Sequence, residues 1–229
     1  MWLRIDGAPD TPIATPSVLA IGVFDGVHRG HQALLAQVRD FAQSHGLTSI
    51  AITFEPHPMA VLAPDRAPKR LTSIARRVGL LHEQQIDHVR VLNFTHEMAA
   101  WSATEFLERI VVDQCAAHHV IVGENFRFGA KAAGDVAFLS AFGDQHGFTS
   151  SVQELRGDAE AFSSTRVRQA LQTGDVQAAA HVLGRNHEVE GEVVKGEQRG
   201  RELGFPTANV WIQDGVAAPV DGVYAGWLN

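Results

Sequence analysis

Two histidines three residues apart, His28 and His31, follow the first strand-like run of the chain and are its best candidates for chemistry. They lie in the segment 22–32, GVFDGVHRGHQ, where a glycine-bearing turn leads into a predicted helix. Backbone N–H groups and the dipole at a helix start favour an anion. Imidazoles can donate to phosphate oxygens and carry charge near neutral pH. The segment therefore indicates a phosphate site; solvated histidines of a capped helix and a zinc pair remain open alternatives.

A proline-flanked histidine follows the second predicted strand. The segment 53–58 reads TFEPHP, and its two prolines restrict the backbone around His57. Such a loop can hold an imidazole over a ligand, or it can be a plain turn. Arg66 follows a few residues later and is a candidate for meeting a phosphate.

Aromatic and amide side chains follow the fourth predicted strand, in the segment 122–129, VGENFRFG. Asn125 can offer a donor and an acceptor to a base, a ribose or a phosphate. Phe126 and Phe128 can stack on an aromatic ring system, although phenylalanine more often belongs to a core. Lys131 is either a phosphate contact or an ordinary surface lysine.

The segment 163–168, SSTRVR, combines hydroxyl groups with arginines at the start of a predicted helix. Its serines and Thr165 suit an N-cap, and Arg168 lies on the first turns. Hydroxyls, free N–H groups and a guanidinium together indicate a second phosphate clamp, with a simple cap as the alternative.

Short apolar runs alternate with amphipathic stretches, which favours an α/β fold with a parallel sheet covered on both faces. Strands are predicted at 18–24, 48–54, 87–94, 119–123 and 149–155, and helices at 31–45, 71–85, 102–115, 135–146, 164–172 and 175–183. Ligands of such sheets bind at the carboxyl ends of strands. The four segments above occupy those positions.

Helical periodicity ends after Arg185, where glycines and prolines punctuate short β-like pieces such as 190–195 and 222–227. We therefore expect a first domain at 1–184 and the beginning of a small all-β domain at 185–229. About 44 residues are too few to close a barrel or a sandwich, so the second domain is expected to be incomplete.

Composition excludes several broad classes. The chain has 229 residues, 45% of them hydrophobic, which argues against disorder as the main state. Its formal net charge of −7 disfavours a nucleic-acid partner. No apolar stretch approaches ~18 residues, so no membrane association is expected. The single Cys115 excludes an intramolecular disulfide and fits a cytoplasmic location.

The four motifs, in this order, resemble those of the bacterial bifunctional riboflavin kinase/FAD synthetases, members of the HxGH nucleotidyltransferase superfamily. The segment 191–210, GEVVKGEQRGRELGFPTANV, and the segment 219–226, PVDGVYAG, also resemble the start of that family's riboflavin kinase module, a small β-barrel. The resemblance implies a Rossmann-like nucleotidyltransferase domain that transfers the adenylyl group of ATP to FMN, giving FAD and pyrophosphate. It implies small-molecule substrates (ATP, FMN, riboflavin) and Mg²⁺, and leaves the oligomeric state unknown.

The resemblance also implies roles for individual residues. Catalysis would fall to His28, His31, Asn125, Ser164 and Arg168. ATP and its phosphates would contact Gly22, Phe24, Asp25, Gly30 and Thr165, and the flavin would contact His57, Phe126, Phe128 and Arg66. In the kinase module, Thr207 and Asn209 would bind Mg–ATP, with 196–204 as a nucleotide-covering segment. The family's catalytic glutamate lies beyond Asn229, so kinase activity is not expected from this chain.

Three other functions fit parts of the pattern. A nucleotidyltransferase of the same superfamily that acts on another phosphorylated acceptor would keep the chemistry, but the 122–129 segment and the kinase-like segment argue against it. A flavin-binding module without turnover would not need two phosphate-holding motifs. A fragment of a class I synthetase would be expected to carry a tRNA-binding extension and basic charge.

Overall fold

A five-stranded parallel sheet, extended by one antiparallel edge strand, organises the first part of the chain. The computed structural model describes residues 2–3, 12–154, 156–196, 204–205 and 207–228. The strands are β1 (Trp2–Leu3), β2 (Ser17–Ile21), β3 (Thr48–Glu55), β4 (His88–Asn93), β5 (Ala117–Gly123), β6 (Thr149–Gln153), β7 (Glu192–Val194) and β8 (Asn209–Trp211). The helices are α1 (Arg29–His45), α2 (Pro58–Leu62), α3 (Ile74–Glu83), α4 (His96–Ala99), α5 (Ala103–Phe106), α6 (Val136–His146), α7 (Ser164–Gln172) and α8 (Val176–Leu183).

The strand order of the large sheet is β1-β4-β3-β2-β5-β6. Strands β2 to β6 run parallel, and β1 pairs antiparallel with β4. From β2 the chain first adds β3 and β4 on one side and then β5 and β6 on the other. The order therefore reverses beside β2, and in sheets of this kind ligands bind in the crevice outside the strand ends at that point.

Alternate residues of β2 enter two separate hydrophobic clusters, as a strand buried on both faces requires. Leu19 packs with residues of α5 and α6 on one face, and Ala20 packs with α1 and α3 on the other. A third cluster joins α7 and α8 to Leu71. The prediction of an α/β fold with a covered parallel sheet is confirmed.

The observed elements differ from the predicted ones mainly at their ends. The first strand ends at Ile21, because the chain turns at Phe24, whose φ is 51°. The third helix begins at Ile74, capped by Ser73, rather than at 71. The predicted capping box of Ser102 and Glu105 is present, and the helix that it opens continues as a π-helical turn, Leu107–Val112.

The C-terminal part contains a two-stranded antiparallel sheet, β7 with β8. The prediction of a strand at 222–227 is wrong, because these residues pair with no strand of the described chain. Residues 197–203 of the predicted nucleotide-covering segment lie outside the described residues. Of the helices in the ranges given above, none has the length and apolar content needed to cross a lipid bilayer.

Two glycines in helices are expected to respond oppositely to alanine. At Gly79 a Cβ would lie 3.8 Å from Arg76 Nη1, an ordinary contact, so Gly79→Ala should raise the free energy of unfolding by about 0.5–1 kcal/mol. At Gly143 a Cβ would lie 2.5 Å from the Phe148 carbonyl oxygen, so Gly143→Ala should lower it by about 1–3 kcal/mol. Urea denaturation measures both; equal effects of the two changes would contradict the packing described.

Candidate functional site

The segment 22–28 forms a tight loop between β2 and α1. Phe24 and Val27 have φ values of 51° and 40°, in the left-handed region, and Gly26 has a φ of 81°. Such backbone persists in non-glycine residues only where the surroundings hold it. Here the Thr53 hydroxyl donates to the Val23 carbonyl at 2.7 Å. The loop is therefore held by its neighbours in a fixed shape at the carboxyl end of β2.

The structure brings the two predicted histidines into direct contact. The rings of His28 and His31 stack with centroids 3.6 Å apart, and the edge of Phe24 meets His31. His28 caps α1: its Nδ1 accepts from the backbone N–H of His31 at 3.4 Å. In the neutral ring, an Nδ1 that accepts leaves the proton on Nε2, which can then donate to a ligand.

A glycine allows close packing beside these rings. A Cβ on Gly30 would lie 3.1 Å from His28 Nδ1 and 3.2 Å from the Phe162 carbonyl oxygen. That spacing is tighter than side chains normally tolerate, so Gly30 lets the first turn of α1 approach both His28 and the segment before α7.

Burial keeps the histidines neutral. It lowers the pKa of His28 to about 4, although the nearby Asp25 carboxylate acts in the opposite direction. Burial also lowers the pKa of His31 well below its ordinary value, and the neighbouring His28 and Arg77 lower this pKa further. The sequence allowed these rings to carry charge near neutral pH, but their burial makes them neutral N–H donors.

Stability is therefore expected to depend on pH through His28. The unfolded chain protonates this residue near pH 6.5, whereas the folded protein does so only near pH 4. Between these values the unfolded state binds more protons, so the free energy of unfolding falls by about 3 kcal/mol from this group as pH drops from 6.5 to 4. Urea denaturation between pH 7 and 4 should show a smaller fall for His28→Asn, which keeps a capping side chain. Identical pH dependence in both proteins would contradict the burial of His28.

Asp25 joins three separate segments beneath the histidines. It is only 2% exposed, and both carboxylate oxygens accept from the Leu71 N–H at 3.0 Å. The N–H and hydroxyl of Thr72 donate to Oδ1 at 3.2 Å. Arg168 donates to Oδ2, and Arg77 Nη2 lies 3.7 Å from Oδ1. Because these partners surround the carboxylate, Asp25 stabilises the loop and its oxygens are already engaged.

The N-terminus of α7 is attached to the same loop. Ser163 caps the helix, and the Ser164 hydroxyl donates to the Asp25 carbonyl at 2.8 Å. Arg168 also donates from Nε to the Lys69 carbonyl at 2.5 Å. Thr165 is exposed at the helix start. The N-termini of α1 and α7 thus meet at one place, where both favour negative charge.

A large cavity of about 1010 Å³ opens over this place. Its lining includes these predicted site residues: Gly22, Phe24, Gly30, His28, His31, His57, Asn125, Phe126 and Phe128. Apolar side chains of β3 and of the segments that follow β3 and β4 contribute much of the remaining surface: Phe54, Met59, Leu62, Phe94 and Met98. The cavity therefore joins a region suited to phosphate with an apolar region suited to an aromatic ring.

The 122–129 segment divides between the cavity and the core. Asn125 is exposed on the cavity side, and Phe126 is half-buried and stacks on Phe128 with centroids 5.2 Å apart. Phe128 is 7% exposed and belongs to the core cluster that contains Phe106. Phe126 is consequently better placed for stacking on a ligand than Phe128.

His57 reaches the cavity and Arg66 does not. His57 caps α2, with its Nδ1 accepting from the Met59 N–H at 3.1 Å, and burial lowers its pKa. Arg66 is exposed on the 3-10 turn Pro64–Arg66 and is absent from the cavity lining. The position of Arg66 therefore does not support the predicted contact between this residue and a flavin.

The predicted metal ligands lie elsewhere. Thr207 and Asn209 are exposed in the C-terminal part, and Asn209 pairs with Val194 across the β7–β8 sheet. Neither lines the cavity. Within the described ranges no group of three or more His, Cys, Asp or Glu side chains could hold a metal ion, so the zinc alternative finds no third protein ligand there.

Two buried side chains at the site were not identified from the sequence. Arg77 is 1% exposed on α3 and donates to the Phe54 carbonyl at 2.9 Å, which puts a guanidinium beneath the site. Gln153 ends β6 and lines the cavity. The only sequence signal for Arg77 was its place on the core face of a predicted helix. The only signal for Gln153 was its place near the end of a predicted strand.

Comparisons with known proteins identify families and relatives to which this chain is similar. A family model described as FAD synthetase matches residues 10–166, and one described as riboflavin kinase matches residues 183–229. A bifunctional riboflavin kinase/FMN adenylyltransferase of Pseudomonas fluorescens is 41% identical over 208 residues, covering 90% of this chain and 66% of the relative. The proteins of that name from Escherichia coli K12 and Bacillus subtilis are 40% and 34% identical, each over 91% of this chain and 66% of the relative.

The chain thus spans slightly less than two-thirds of the length of these curated relatives. A crystal structure described as a macrolide-efflux protein from Streptococcus pneumoniae is similar to the fold, with a TM-score of 0.84 and 30% identity. The matched region covers 94% of this chain and 70% of the chain in that crystal structure.

Proposed function

The chain belongs to the FAD synthetase family, and we propose that it transfers the adenylyl group of ATP to FMN, forming FAD and releasing pyrophosphate. One observation carries this proposal: the N-termini of α1 and α7 converge with His28 and His31 at a cavity whose remaining lining is largely apolar. Such a site suits a triphosphate beside an aromatic ring system.

The reaction needs no protein nucleophile. A phosphate oxygen of FMN, already an anion, attacks the α-phosphorus of ATP, a new P–O bond forms, and the bond to the β-phosphate breaks. Positioning and stabilisation of charge then supply most of the catalysis. Neutral His28 and His31 donate N–H groups to the α-phosphate and the leaving pyrophosphate, and bound anionic phosphates raise the imidazole pKa values.

The residues around Asp25 set the geometry of the phosphate site. Ser164 and Arg168 are proposed to hold the departing phosphates, in positions that the Asp25 carboxylate and carbonyl fix. Gly22 and Gly30 line the cavity and allow a nucleotide to approach closely, and Thr165 is exposed at the start of α7. Asp25 acts as a support for these groups.

The flavin ring is proposed to lie against the apolar side of the cavity. Phe126 offers a half-buried ring for stacking, His57 lines the same space, and Asn125 orients the nucleotide or the flavin. Phe128 supports Phe126 from the core.

Mg²⁺ is proposed to enter with ATP. Phosphate oxygens and water hold Mg²⁺ in many nucleotide sites, and a bound ion would supply positive charge beside the leaving group. This fits the chain, because the Asp25 carboxylate is already occupied by Arg168 and by backbone N–H groups. In the riboflavin-kinase-like part, the oxygens of Thr207 and Asn209 are proposed as Mg–ATP contacts.

We propose a boundary between the two domains near residue 184. Gly184 ends α8 in the left-handed conformation, and the riboflavin kinase match begins at residue 183. A cytoplasmic location is also proposed, since the single cysteine, Cys115, is buried as a free thiol.

Incubation with FMN, ATP and Mg²⁺, followed by chromatographic separation of flavins, tests the proposal. We expect FAD to form in proportion to enzyme, and not when ATP or FMN is omitted. A parallel incubation with riboflavin in place of FMN measures FMN formation, the riboflavin kinase activity in the relatives' name, separately. Binding of FMN without any FAD formation would favour a flavin-binding module instead.

A further inference from the structure

The side chain of Gln153 carries a buried acceptor without a donor. The residue is 6% exposed and lines the cavity at the carboxyl end of β6. Its Nε2 donates to the Glu154 carbonyl at 2.7 Å, and because a carbonyl only accepts, this bond fixes which end of the amide is the nitrogen. The Oε1 atom is left buried with no hydrogen-bond partner among the described residues.

An unpaired buried amide oxygen is rare in native proteins. The backbone of Gln153 is fully engaged, since its carbonyl accepts from the Glu124 N–H at 3.2 Å and β6 pairs in register with β5. The side chain is thus fixed at the cavity wall, and an N–H group of a bound ligand would supply the missing partner.

The position of β6 in the sheet indicates which part of the ligand it faces. The phosphate region lies at the end of β2, in the middle of the sheet. Apolar lining follows β3 and β4 on one side, and Phe126, which follows β5, packs against the same core cluster as Phe54 and Phe94. Strand β6 lies at the edge on the other side. A nucleotide and a flavin that meet at their phosphates therefore place the flavin ring against Phe126 and the side chains that follow β3 and β4, and the nucleobase towards Gln153 at the sheet edge.

We propose that Gln153 selects the nucleobase by accepting a hydrogen bond from its exocyclic amino group, an inference that rests on the proposed adenylyl transfer. In the base of ATP the 6-amino group is the only N–H donor, so within the base it is the group that can satisfy Oε1. Gln153 would then be a specificity-determining residue that contacts the nucleotide without taking part in the bond changes.

The test compares ATP with purine riboside 5′-triphosphate, which lacks the 6-amino group. For the unmodified protein we expect kcat/KM to be ~10-fold or more higher with ATP, because the analogue leaves the buried oxygen unpaired. In Gln153→Met this preference should fall to within about twofold, with a raised KM for ATP and an unchanged KM for FMN. Gln43→Met makes the same chemical change at an exposed position of α1 and should keep the full preference.

Equal kcat/KM values for the two nucleotides with the unmodified protein would overturn the inference. This outcome does not depend on whether any variant folds. A Gln153→Met protein that keeps the preference, or that changes the KM for FMN instead, would overturn it as well. If the chain makes no FAD with either nucleotide, the proposed function fails. The ratio of the two nucleotides' dissociation constants, measured by calorimetry on the same proteins, then decides the role of Gln153.

Discussion

Replacement of His28 or His31 by alanine is expected to slow FAD formation ~10²-fold or more, with the fold retained. Both rings lie at the N-terminus of α1, stacked 3.6 Å apart, and line the cavity. Each offers an N–H group to charge that develops on the transferred phosphate, and alanine removes it. The measurement is steady-state FAD formation with saturating FMN and ATP.

Two further variants separate chemistry from folding in this prediction. His28 also caps α1, so His28→Ala should cost about 1 kcal/mol of stability, whereas His28→Asn retains a capping side chain and should recover it without recovering the rate. His118→Ala removes an exposed imidazole that does not line the cavity and should leave turnover unchanged. Near-normal FAD formation by both alanine variants at positions 28 and 31 would remove the histidines from the mechanism.

Replacement of Asp25 by alanine is expected to lower the free energy of unfolding by about 3–5 kcal/mol. The change leaves Arg77, which is 1% exposed, without its nearest buried carboxylate, and it unpairs the N–H groups of Leu71 and Thr72. Arg168 loses a partner too, so turnover should fall in the fraction that still folds. Urea denaturation followed by circular dichroism measures the stability.

Asp40→Ala is the matched control. Asp40 pairs with Arg39 on the surface, where such pairs contribute little, and the change should stay within about 0.5 kcal/mol. A loss below about 1 kcal/mol for Asp25→Ala would show that Asp25 does not hold the loop, α3 and α7 together as the contacts indicate.

Local patterns were sufficient to predict the parallel strands β2–β6, most helices and the cluster of His28 and His31, but not β1. Strands and helices with a clear apolar pattern can be recognised from residues that are close in sequence, and so can the helix caps at Ser102 and Ser163. The convergence of the motifs followed from the topology, because the carboxyl ends of parallel strands share one edge of the sheet.

Properties that depend on distant residues were not predictable in the same way. Asp25 was expected to contact phosphate, but its partners at Leu71 and Arg168 lie 46 and 143 residues away in the chain. The neutrality of His28 results from burial, which no local pattern reports. The segment 222–227 has strand-like composition, yet an extended segment becomes a strand only when another strand pairs with it.

The most direct test of adenylyl transfer is to follow the phosphorus atoms of ATP. With FMN, Mg²⁺ and ATP labelled at the α-phosphorus, the label should appear in FAD; with ATP labelled at the γ-phosphorus, it should appear only in pyrophosphate. Retention of the α-label in unreacted ATP or free AMP, with no labelled flavin, would contradict the proposed function.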